Sequence, residues 1–109
     1  EAIRLMAEAD RRLGDAAFAE SRLDDAISAY GRGAARLAGA STSDTPAVLT
    51  LTRLHDRTGN AQARLARYGE AADSFERAIA LVRPLAERAD APPEVRRMLM
   101  AALGNSGDV

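Results

Sequence analysis

Tyr68-Gly-Glu-Ala-Ala-Asp-Ser-Phe-Glu-Arg-Ala-Ile-Ala-Leu81 decides the fold. Within it Ala71, Phe75, Ala78 and Ile79 stand at i, i+4, i+7 and i+8, one face of a helix. The face alternates small and large side chains. A small residue lets a neighbouring helix come close, and the Phe ring fills the gap beside it. A near copy lies upstream in Leu23-Asp-Asp-Ala26-Ile27-Ser-Ala-Tyr30-Gly-Arg-Gly33-Ala34. Ala26, Tyr30 and Gly33 match Ala71, Phe75 and Ala78 at a spacing of 45 (71 − 26). The chain is therefore an internal repeat of helical segments.

Working outward, 109 residues suit one domain or a slice of a longer array. Hydrophobic residues are 47% of the chain, but 25 of them are Ala and aromatics are only 4%. Alanine has the highest helix propensity and little volume, so the expectation is all helix with thin, closely packed interfaces. Net charge is −1, with basic and acidic residues intermixed, which gives no attraction to nucleic acid or to an anionic membrane. All 15 basic residues are Arg, a bias read as genomic rather than as bidentate recognition. Cysteine is absent, so there is neither a disulfide framework nor a thiolate metal site. No signal peptide and no long apolar run is found, and the expected location is cytoplasmic. The start at Glu1 is read as the edge of an excised piece.

Helical periodicity places a first helix over Ile3 to Glu20, with Ile3, Met6, Ala9, Leu13, Ala16 and Ala17 as its packing stripe. Glu8 and Arg12 form an expected i,i+4 pair, as do Asp73 and Arg77. A second helix runs from about Asp24 to Leu37, with Asp24-Asp25 expected to cap it. The loop Gly39 to Thr45 leads to Pro46 at the start of a third helix that reaches about Ala66, with Asp44 or Thr45 as N-cap. A fourth helix begins near Glu70. Pro84 either ends it or kinks it, and the spacing of Leu81 and Leu85 favours a kinked helix to about Ala89. Ala91-Pro-Pro-Glu94 breaks the chain and starts a fifth helix without a partner. Repeat boundaries fall at about 2–40 and 46–89, with a half repeat at about 93–109. Gly14-Asp-Ala, Gly59-Asn-Ala and Gly107-Asp-Val set the register; Gly104 offers a competing third position, and Gly107 is preferred because an acidic or amide residue and then an apolar one follow it.

These residues resemble the tetratricopeptide repeat family, in a long-repeat bacterial variant. Gly14, Ala26, Tyr30 and Gly33 fit its pattern in one unit, and Gly59, Ala71, Phe75 and Ala78 in the next. Leu13 fits the large residue before the first Gly, whereas Thr58, Asp10, His55, Ala17 and Gln62 depart from the pattern. The resemblance implies a right-handed α-solenoid of antiparallel helix pairs, about two and a half repeats, with the first helix of each pair on the concave side. It also implies an interaction module or scaffold that binds a protein or peptide; because the residues offer no catalytic or metal-ligand constellation, no catalysis, cofactor or metal is expected. Groove positions on the family pattern are Glu8, Arg11, Asp15 and Phe18 in the first unit and Arg53, Asp56, Asn60 and Arg64 in the second, with Arg57 beside them. Arg53, Arg57 and Asn60 partly fit a carboxylate clamp, while Asp15 stands where that clamp has Asn. The competing reading of this set is a solvated helix face. A second functional reading is a spacer or a self-association segment, a homo-oligomer formed through the terminal helix and its Met98, Leu99 and Leu103. His55, the single histidine, reads as a packed structural residue, and no catalytic or metal constellation surrounds it.

Overall fold

The positions that close the helices repeat as faithfully as those that pack them. In the computed structural model, which describes residues 2–40 and 43–107, Ser21 and Ala66 both take positive φ, 60° and 61°. They sit 45 residues apart, each just past the end of a helix. At each, an amide reaches back to seal the helix end: the Arg22 N–H donates to the Ala17 carbonyl at 2.8 Å, and the Arg67 N–H to the Gln62 carbonyl at 2.9 Å. Two non-glycine residues thus hold a conformation that favours glycine, because the same helix-to-helix turn is built twice.

Five helices occupy the described residues: α1 (Ala2–Ala19), α2 (Leu23–Leu37), α3 (Thr45–Arg64), α4 (Tyr68–Ala86) and α5 (Pro93–Gly107). The fold is all-α, and the residues α1–α2 and α3–α4 form its two units. Asp44 caps α3 by accepting from the Ala47 N–H at 3.3 Å, with Pro46 in the first turn. Asp24 and Asp25 do not cap α2. Arg22 holds the cap position without a side-chain bond, and the two carboxylates lie in the first turn, where they suit the positive helix end. There Asp24 meets Arg67 at 3.1 Å and Asp25 meets Arg22 at 3.2 Å. α4 runs through Pro84 but stops at Ala86, short of Ala89. The Glu87 N–H closes on the Arg83 carbonyl and the Arg88 N–H on Leu85, which ends the helix one turn after the proline. Ser41, Thr42, Asp108 and Val109, assigned by sequence to the loop and to the end of the half repeat, lie outside the described residues.

Each helix packs on the next. In addition the backbone of α1 approaches that of α3, and α3 that of α5, whereas the backbones of α2 and α4 keep apart. The radius of gyration, 13.1 Å, is that of a compact chain of this length. The core is in two parts. Ala7, Ala17, Ala26, Tyr30, Leu37, Ala47 and Leu54 join the first unit to α3. Val48, Val82, Leu85 and Val95, with Leu81, Met98 and Leu99 against them, join α3 and α4 to α5.

The glycines at the helix crossings explain why the repeat holds its register. A Cβ on Gly14 would lie 2.4 Å from Cε1 of Tyr30, and one on Gly59 would lie 2.5 Å from Cε1 of Phe75. In both units a ring therefore lies flat on a bare helix backbone. Gly33 is nearly as tight, with a Cβ meeting the Leu54 methyls at 3.1 Å. Nothing lies near Gly31, and nothing in the fold explains a glycine there. For the third position, Ala47 and Leu54 are matched by Val95 and Ala102, all buried and 48 residues apart, which is the spacing of Gly59 and Gly107.

Leu13 is not a packing residue: it is 58% exposed. The buried stripe of α1 is Ala7, Asp10, Gly14 and Ala17, so the expected stripe was drawn one residue out of phase, and of its members only Ala17 is buried. The error has a physical source. The true stripe contains a carboxylate and a glycine and so reads as polar, yet Asp10 is neutralised across the interface by Arg36 Nε at 2.7 Å.

Candidate functional site

The charged residues of α1 and α3 meet where these two helices touch. Asp15 is the hub. Its Oδ1 accepts from the Tyr30 hydroxyl at 2.5 Å and faces Arg57 Nε at 3.1 Å, and its Oδ2 accepts from Arg11 Nη1 at 2.8 Å. Burial first, and then the Asp15 carboxylate, push the Tyr30 phenol well above its ordinary pKa, so it remains a donor across the physiological range. Arg11 also reaches Glu8, at 3.4 Å, in place of the Glu8–Arg12 pair expected from spacing. Burial alone would raise the Glu8 carboxyl, but Arg11, with Arg53 and Thr50, holds it below its ordinary value.

Asp15, Phe18, Tyr30, Asp56, Arg57 and Asn60 line a cleft of about 270 Å³ between α1 and α3. Arg64 stands over the Phe18 ring at its margin, 5.1 Å from the centroid. A second cleft of about 210 Å³ between α3 and α5 shares Asp56 and Arg57 and adds Thr52, Arg53, Met98 and Ala101. Here Arg53 pairs with Glu94, and Asp56 accepts from Asn105 Nδ2 at 3.0 Å. The candidate residues Arg11, Asp15, Arg53, Asp56, Arg57, Asn60 and Arg64 thus all lie on α1 and α3, around two clefts that share Asp56 and Arg57.

Their states differ. Arg11 and Arg57 share the Asp15 carboxylate, with Glu8 also on Arg11, so the guanidinium of Arg57 already holds a carboxylate from its own chain. Asn60 occupies in the second unit the place of Asp15 in the first. Its amide has no hydrogen-bonded side-chain partner among the described residues, and it faces the cleft with a donor and an acceptor available. The sequence pattern marks Tyr30 only as a packing residue and gives no sign of Glu94 or Asn105. A signal for Tyr30 was present: the two units differ as Tyr30 to Phe75 and as Asp15 to Asn60, so the hydroxyl and its acceptor appear together or not at all.

His55 lies half-buried beside α4. Burial, and then the nearby charge of Arg77, lower its pKa below 6.5. Among the described residues no group of three or more His, Cys, Asp or Glu side chains is arranged to hold a metal, and no helix is long and apolar enough to cross a membrane. Compared with protein-family models, with characterised proteins and with solved structures, the chain has no significant match.

Proposed function

We propose that the chain is a non-catalytic interaction module of tetratricopeptide type, an α-solenoid segment that docks a protein segment or peptide along the face formed by α1, α3 and α5. The observation that carries this reading is the asymmetry of helix contacts. The backbones of the first helices of successive units approach one another, while those of α2 and α4 keep apart. A stack with one layer in contact and the other splayed curves toward the contacting layer, and that inner layer is where the two clefts and the charged set lie. An extended chain in such a groove hydrogen-bonds through its backbone, and the open amide of Asn60 supplies a donor and an acceptor for it. Because Arg57 is already held by Asp15, a carboxylate-bearing ligand would have to displace an internal partner. This favours recognition through backbone and apolar contacts over a charge clamp.

The test uses the intact chain with a photo-crosslinking residue at Asn60 or Arg64, and separately at Gly31 or Glu76 on α2 and α4. The expected result is partner capture from the first two positions and not from the others. Capture from α2 and α4 instead, or from none of the four, would overturn the proposal.

A further inference from the structure

Three clefts follow one another along α3 and share their walls. The cleft against α5 meets the cleft against α1 at Asp56 and Arg57. A further one of about 350 Å³, lined by Phe18, Asn60, Ala63 and Arg64, meets the cleft against α1 at Phe18 and Asn60. Together they make one trough. Most of the charge along it is cancelled from within: Arg53 holds Glu94, and Arg57 holds Asp15. Two charges are left over. Among the described residues Asp56 makes no ion pair and accepts from the neutral amide of Asn105, at 3.0 Å. Arg64 has no carboxylate partner among them and stands over the Phe18 ring. Asp56, Asn60 and Arg64 follow at i, i+4 and i+8, so one face of α3 carries a carboxylate, an amide and a guanidinium in that order. The eight residues between the two charges (64 − 56) span about 12 Å of helix. Forty-five residues earlier the same positions are Arg11, Asp15 and Ala19, and there the two charged residues bond each other. Of the two units, only the second presents an open pair.

We infer that the segment docked here, resting on the function proposed above, is an extended one that sets a Lys or Arg side chain against Asp56 and, about four residues away, an Asp or Glu side chain against Arg64. Charge complementarity at a fixed distance carries this. An extended chain advances about 3.3 Å per residue, and side chains four apart point the same way, so the two charges fall about 13 Å apart on the side that faces α3. The residue midway between them lies opposite Asn60, whose amide offers a donor and an acceptor to its backbone. Arg57, the clamp position, keeps its internal partner throughout. Backbone and apolar contacts hold the segment, and the two open charges decide which segment it is and in which register it lies.

Short random peptides displayed on phage, selected against the intact chain and against Asp56→Asn and Arg64→Gln, test this. Asp56→Asn keeps an oxygen for Asn105 to bond, and Arg64 is exposed, so both variants should fold, as circular dichroism checks. The unaltered chain should enrich peptides with Lys or Arg about four residues from Asp or Glu, in one order. Asp56→Asn should lose the basic preference and keep the acidic one, and Arg64→Gln should do the reverse. For one enriched peptide, synthesised with capped ends, each variant should weaken binding about fivefold at low salt, and the loss should shrink as salt is added. Enrichment without that charge spacing, or a preference that survives the loss of its own partner, would overturn this inference and leave the docking function standing. No enriched peptide at all would overturn the docking function as well.

Discussion

The two units share one backbone plan and fill it with different chemistry. Where the first unit has Asp15 bonded to the hydroxyl of Tyr30, the second has Asn60 and the hydroxyl-less Phe75. Where the first buries Asp10 against Arg36, with Arg32 at 3.7 Å, the second has His55 near Arg77, and Arg32 and Arg77 are 45 residues apart. Where the first packs Ala17 and Ala29, the second has Gln62 and Ser74, joined by a hydrogen bond of 2.7 Å. Two of the differences come in pairs: Asp15 and Tyr30 are bonded where Asn60 and Phe75 are not, and Gln62 and Ser74 are bonded where Ala17 and Ala29 are both apolar. The geometry of the repeat is thus fixed by the Gly-and-ring contact, and the polar partners are free to vary around it. One consequence is functional. The first unit's groove position is locked by its own partners, and the second unit's is open.

The largest effects should come from filling the glycine sites. Gly14→Ala and Gly59→Ala each drive a methyl into the face of a ring, an overpacking cost of about 1–3 kcal/mol that exceeds the helix-propensity gain of up to about 1 kcal/mol. The loss should be greater at Gly14, because the Tyr30 ring is tied to Asp15 and the Phe75 ring has no such tether. Equal losses in chemical denaturation would show that the tether does not fix the ring. Next in size, Asp10→Asn removes a buried carboxylate from Arg36. Breaking a fully buried pair costs about 3–5 kcal/mol, but both guanidinium partners reach solvent, so about 1–2 kcal/mol is expected. A loss too small to measure would mean that Arg36 is satisfied by water and that the two units do not differ in this way.

Smaller gains should follow from Ser21→Gly and Ala66→Gly. Each relieves a left-handed residue of about 1–2 kcal/mol of strain, against a greater unfolded-state entropy for glycine, so each should stabilise by about 0.5–1 kcal/mol. Because the two turns are the same, the two gains should match; unequal melting shifts would break the equivalence. The smallest effect is that of His55. Its folded pKa lies below 6.5, so between the two values the unfolded state binds more protons than the native state. Stability should be full above the unfolded-state value and decline as pH falls from it toward the lowered native value. His55→Gln should remove that slope between about pH 7 and pH 5, and its persistence would assign it to other groups.

Much of this plan can be read in the chain because the repeat is a matter of local spacing. Ala26, Tyr30 and Gly33 repeat as Ala71, Phe75 and Ala78, and the glycines that receive the rings repeat with them. What could not be read depends on partners far apart in sequence. Leu13 looked inward because its stripe is apolar, but the helix turns its other face to the core. There Asp10 is made tolerable by Arg36, which only the folded chain brings near. The pairing of Arg57 with Asp15 joins different units in the same way, and no spacing rule within one helix anticipates it.

The account rests on one contact made twice, a ring lying on a bare glycine in each unit. Proton NMR tests it most directly. The α-protons of Gly14 and Gly59 should both be displaced upfield by ring currents and show cross-relaxation to the ring protons of Tyr30 and Phe75 respectively. Random-coil shifts at either glycine, or rings that relax to solvent-facing neighbours instead, would contradict it.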